Sequence, residues 1–141
     1  MLTQLTLLKP RFFFTALLIL NLSPAVLAVE DCEQATDLLY EAYDLHSKGR
    51  NLAKQQRLLK KALRYCPLHS EVHNALASVY EEQGKLKQAI EHYKKATEQE
   101  PSFTEPWYSL GEIYYRRKRF SLSLEAHSQN CSRDADSKAR V

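Results

Sequence analysis

Lys60-Lys61-Ala62-Leu63-Arg64-Tyr65-Cys66-Pro67 returns 34 residues later as Lys94-Lys95-Ala96-Thr97-Glu98-Gln99-Glu100-Pro101. A second set keeps the same displacement: Glu71, Leu76 and Tyr80 return as Glu105, Leu110 and Tyr114. A fixed period of this size means stacked copies of one supersecondary unit rather than a single irregular fold. Between the repeated anchors the apolar residues fall at helical spacing, and Gly84, Pro67 and Pro101 stand where helices must stop. The period therefore predicts an all-α chain of antiparallel helical hairpins. Each hairpin leaves an apolar stripe that only a neighbouring hairpin covers.

The residues inside the period carry a resemblance. Trp107, Leu110, Gly111 and Tyr114 in one copy, and Leu76, Ala77, Tyr80, Gly84, Ala89, Tyr93, Ala96 and Pro101 in the other, resemble the tetratricopeptide repeat family. Only His73, where tryptophan is usual, departs in the middle copy. The resemblance implies a superhelix of about three hairpins that binds another protein along its concave side. The first helix of each unit lines that side, so in the middle unit the groove residues are Glu71, Asn74, Ser78 and Glu81. In the third they are Glu105, Tyr108, Glu112 and Tyr115, with Arg116 at the margin. This is an acidic surface with two tyrosines, suited to a basic or polar segment of a partner, extended or helical. The Lys, Arg and Asn clamp with which some family members grip a terminal carboxylate is not reproduced.

Working outward gives the domain boundaries. Residues 31–67 read as a divergent first repeat with Leu38, Ala42, Leu45, Leu58, Leu59, Ala62 and Tyr65 on its apolar faces, 70–101 as the clear repeat, and 104–133 as a third. Gly49 to Pro67 is one residue longer than Gly84 to Pro101, which places an extra residue near the first turn. Ser70 and Thr104 are the expected helix N-caps, with Glu71 and Glu105 in the first turns that follow. The third unit weakens in its second helix, where Ser123, His127 and Asn130 replace Ala, an aromatic and Ala. Residues 134–141 read as the start of a capping helix or of a truncated continuation. An array end without such a cap exposes its stripe, which leaves Leu122, Leu124 and Ala126 partly uncovered and offers a second surface for association.

The amino terminus predicts export. Lys9 and Arg11 precede an apolar run from Phe12 to Leu22, then Ser23-Pro24 and the small Ala28, so residues 1–28 read as a signal peptide cleaved after Ala28. The alternative is a leader retained as an inner-membrane anchor through 12–29, a length at the lower limit for crossing a bilayer. Lys9 and Arg11 lie ahead of every acidic residue, so the formal charge of +3 falls to about +1 on cleavage. That balance gives no reason to invoke nucleic acid, and membrane contact is expected only through an uncleaved leader. In an oxidising compartment Cys32, before the first helix, and Cys66, at the end of the second, meet at the open end of the hairpin as a disulfide candidate, the alternative being two free thiols. Cys131 is left over.

Candidate chemistry is sparse. Cys66, His69 and His73 have a spacing like half a metal site, yet no fourth ligand accompanies them, and no metal or cofactor is expected. Arg116-Arg117-Lys118-Arg119 reads as a solvated turn, the alternatives being a patch for phosphate or anionic lipid or a basic cleavage signal of a eukaryotic secretory pathway. No nucleophile elbow, phosphate loop or zinc-protease helix occurs, so the chain is read as no enzyme. The expectation is a non-catalytic scaffold or adaptor of the periplasm or cell envelope. The alternative is an amino-terminal targeting module of a longer envelope protein whose enzymatic or cell-wall-binding domain lies elsewhere.

Overall fold

The computed structural model describes residues 24–49 and 51–138, and places side chains at 32–49 and 51–132. Residues 1–23, which hold most of the expected leader and anchor, lie outside the described residues, as do 50 and 139–141. Six helices follow one another: α1 (Pro24–Ser47), α2 (Leu52–Tyr65), α3 (Ser70–Glu82), α4 (Leu86–Gln99), α5 (Thr104–Arg116) and α6 (Phe120–Lys138). Among the described residues there is no strand, and no helix is long and apolar enough to cross a membrane. Consecutive helices pair as hairpins, and the hairpins stack through α2 on α3, α4 on α5 and α1 on α3.

The stops come from local backbone chemistry. Gly84 closes α3 in the left-handed region at φ 73°, which glycine enters without steric cost. One period later Lys118 takes the same conformation at φ 58° without being glycine, a cost of about 1 kcal/mol. The basic run is thus the turn between α5 and α6. In the first unit the extra residue falls in the turn after Gly49, and Asn51 becomes an N-cap whose carboxamide oxygen accepts from the Lys54 amide at 3.0 Å.

Two expected caps are corrected. Ser70 and Thr104 stand inside α3 and α5, and the N-cap positions belong to His69 and Phe103, neither of which caps with its side chain. The Ser70 hydroxyl instead donates to the Glu100 carboxylate at 2.7 Å, joining the start of α3 to the end of α4. Glu71 and Glu105 do occupy the first turns, where their charge meets the positive helix ends.

The core runs continuously through the hairpins. Leu39, Leu59, Val72, Leu76, Pro106 and Ile113 are its largest fully buried side chains. Ala62, Ala77, Ala89 and Ala96 are wholly buried between them, small residues where helix backbones approach. In the first hairpin Ala35 and Leu39 carry more of the burial than the expected Leu38 and Leu45, which lie half-exposed.

The third unit repairs its substitutions in its own way. The Ser123 hydroxyl, standing where Ala89 stands one period earlier, is buried and donates to the Gly111 carbonyl at 2.9 Å. The His127 ring lies so close to Gly111 that a β-carbon there would come within 2.6 Å of it. Gly111→Ala is therefore expected to push His127 outward at a cost of about 1 kcal/mol, and Gly111→Ala with His127→Ala to cost less than the two changes separately. A double-mutant cycle of thermal melts checks the coupling. Residues 134–138, expected as the start of a capping helix or of a continuation, lie within α6. No glycine or proline interrupts the helix there. Its outer side is uncovered at Leu124, 72% exposed, while Ala126 is buried and Leu122 half-buried.

Candidate functional site

Helices α1, α3 and α5 share one face. Burial pushes the Tyr43 phenol above its ordinary ionisation range, and the carboxylates of Glu105 and Glu71 push it further. One phenol on α1 thus feels the field of acids on both α3 and α5. That is the groove built by three first helices.

The predicted groove residues do not all remain open. Glu71, Ser78 and Glu105 are exposed, Glu112 is half-exposed, and Tyr108 and Tyr115 present 53% and 61% of their surface. Glu81 is engaged by its neighbours: it pairs with Arg116 across the unit boundary and accepts from the Tyr93 hydroxyl at 3.2 Å. Burial, ahead of that acidic partner, holds Tyr93 protonated well above the tyrosine range. Glu112 lies 3.5 Å from the His127 imidazole, and Tyr108 meets that ring edge-on at 5.7 Å. Asn74 is corrected from a groove contact to a buried side chain, 5% exposed.

Sequence reasoning missed Tyr43. The signal was present, since the extra turn residue shifts the first helix to a displacement of 35, which sets Ala42 on Ala77 and Tyr43 on Ser78. Reading the first unit at 34 hides that match.

Opposite in charge to the groove is α2. It carries Lys54, Arg57, Lys60, Lys61 and Arg64 and no acidic residue, and all but Lys54 are exposed. The Lys60 ammonium sits 5.8 Å from the centre of the Tyr80 ring.

Between α3 and α4 lies a pair of imidazoles. Trp107 Nε1 donates to the Pro101 carbonyl at 3.2 Å, and one period earlier His73 Nε2 takes the same place against the Pro67 carbonyl at 3.0 Å. A carbonyl accepts only, so His73 carries its proton on Nε2 and leaves Nδ1 as acceptor. His92 Nδ1 fills it as donor at 2.9 Å. This explains why histidine tolerates a tryptophan position. Burial, then the neighbouring His73 and Lys95, lower the His92 pKa from 6.5 to about 4, and burial lowers that of His73.

A stability effect follows from both shifts. The folded state holds the rings neutral while the unfolded chain takes up protons near 6.5, so the stabilisation is whole above that pH and drains as the pH falls towards about 4. Discounted for the solvated part of the rings, the loss is about 1 kcal/mol, or roughly 5 °C in Tm. Melts across that window should show it, and His92→Gln should flatten the slope.

Among the described residues no group of three or more His, Cys, Asp or Glu side chains is placed to hold a metal. Cys66 is bonded to Cys32, with 4.8 Å between their α-carbons. His69 turns to the Thr36 hydroxyl at 3.2 Å. Cys131 is exposed and free.

Comparison with known proteins agrees with this architecture. A family model described as tetratricopeptide repeat matches residues 58–91, and one described as TPR repeat matches residues 78–117. Over 60 residues the chain is 30% identical to the tetratricopeptide repeat domain-containing protein PYG7, chloroplastic, of Arabidopsis thaliana, a match covering 43% of this chain and 20% of that protein. Among solved structures, MamA superposes with a TM-score of 0.70 at 18% identity, covering 81% of this chain and 66% of that one. The Sgt2 TPR domain from Aspergillus fumigatus follows with a TM-score of 0.65 at 20% identity over 72% and 66%. The fold is that of a tetratricopeptide superhelix, and its repeats are recognised by sequence in residues 58–117.

Proposed function

We propose, from the premise that residues 58–117 are tetratricopeptide repeats, that this chain is a non-catalytic scaffold which binds a basic or polar segment of another protein in the groove of α1, α3 and α5. The observation that carries the reading is that burial and then the Glu105 and Glu71 carboxylates raise the Tyr43 phenol, which puts acids of α3 and α5 within electrostatic reach of α1, while Tyr108 and Tyr115 stay exposed on α5. Exposed tyrosines supply large contact area at small entropic cost, and acids on a groove rim select cationic partners. We place it in the periplasm or cell envelope, on the strength of the export signal read in residues 1–28 and of the cysteine bridge, a bond that persists in oxidising compartments.

The groove is tested with fluorescent extended peptides of basic, polar and acidic composition. Basic or polar peptides should bind and acidic ones should not, and Glu71→Gln with Tyr108→Ala should weaken binding by about tenfold or more. Unchanged affinity in that variant would remove the groove from the mechanism. Amino-terminal sequencing of the native product tests the setting: Val29 as first residue supports export with cleavage, and Met1 supports the anchor.

A second reading, an interaction module of a longer envelope protein, is favoured by the uncovered side of α6, where Leu124 and Phe120 are 72% and 60% exposed. Transcript mapping past the codon of Val141 decides between the two.

A further inference from the structure

Beside Tyr43 the wall of the groove opens into a cavity of about 130 Å³ between α1, α2 and α3. Its walls are apolar, formed by Ala42, Leu59, Ala75 and Val79. Gln55 also lines it, and Gln55 is 3% exposed with a carboxamide nitrogen, Nε2, that meets no acceptor. A buried donor left without a partner costs about 1–3 kcal/mol, so a polar side chain held in this state marks a place that something else completes. Tyr43, His46, Ser78 and Glu82 complete the polar part of the lining, with the His46 imidazole 3.9 Å from the Glu82 carboxylate.

We infer that this cavity is a side-chain subsite for a primary carboxamide, an asparagine or glutamine of the segment bound in the groove. The assignment follows by elimination. An aliphatic side chain or a lysine fills the space but leaves Nε2 without an acceptor. A carboxylate supplies the acceptor but meets three acids against one imidazole: Glu82 in the lining, which His46 faces at 3.9 Å, and Glu71 and Glu105 around the adjoining Tyr43. A carboxamide gives its carbonyl to Gln55 and its two N–H bonds to the Ser78 hydroxyl and the Glu82 carboxylate, while the apolar walls take its short stem. The subsite rests on the groove reading for the chain that delivers the amide, not for the chemistry of the cavity.

The test uses the full chain and small probes that stand for the three side-chain classes: propionamide, propionate and propylammonium. Propionamide should move the Gln55 side-chain amide resonances saturably in the millimolar range. The other two should not. Gln55→Leu, similar in volume and without a donor, should abolish the shifts read at Ser78 and raise Tm, because the unsatisfied group is gone. Gln55→Met repeats the test with a more adaptable side chain. Propionate binding as well as propionamide, no saturable shift, or a fall in Tm for both variants would each overturn the assignment, the last by showing that water already satisfies Nε2. Propionamide binding in a protein whose groove takes up no peptide would sink the groove reading and leave the subsite standing.

Discussion

Reducing the Cys32–Cys66 bond, or replacing both residues by alanine, is expected to lower stability by about 3–4 kcal/mol. The bond spans 34 positions and ties the body of α1 to the residue that ends α2. In the chain-entropy account a loop of this length removes that much freedom from the unfolded state. The effect should be concentrated at the amino-terminal end. Among the described residues α1 packs on α2 and on a small part of α3, so without the bond it opens first. Hydrogen exchange under reducing conditions should therefore show lost protection in α1 before α4 or α5. Uniform loss along the chain would mean that the three hairpins unfold as one unit and that the bond acts globally.

Leu76→Ala is expected to cost about 3 kcal/mol, or roughly 15 °C in Tm. Leu76 is fully buried in α3, the one helix that packs against α1, α2 and α4 together. A cavity there weakens the interface on both sides at once, and an array of three hairpins has no interior unit to spare. Leu124→Ala, at a position 72% exposed on α6, should stay within about 0.5 kcal/mol and serves as the control for chain composition. Equal effects in thermal melts of the two variants would refute the assignment of the core.

The fold was legible because the 34-residue period repeats the punctuation as well as the apolar residues. Pro67 and Pro101 end equivalent hairpins, and Gly84 marks a turn where lysine later does the same work. What stayed hidden depends on partners that no period encodes. Ser70 looks like a cap in isolation, but a carboxylate 30 residues away claims its hydroxyl. Asn74 looks like a groove residue by helical spacing, yet the packed array buries it, and Tyr43 disappears from the groove whenever the first unit is aligned without its additional turn residue. The pairing of His73 with His92 follows from the place of Trp107 once the carbonyl it must reach is known, and the sequence alone gives no reason to look between those two histidines.

The separation of charge between the groove and α2 makes the molecule an electric dipole. A cationic segment approaching from solution is therefore drawn to one side of the molecule and held off from the other, so the field orients it before any contact forms. Beyond a Debye length, about 10 Å at 0.1 M salt, that field is screened, and encounter slows as salt is added while the contacts within the groove are less affected.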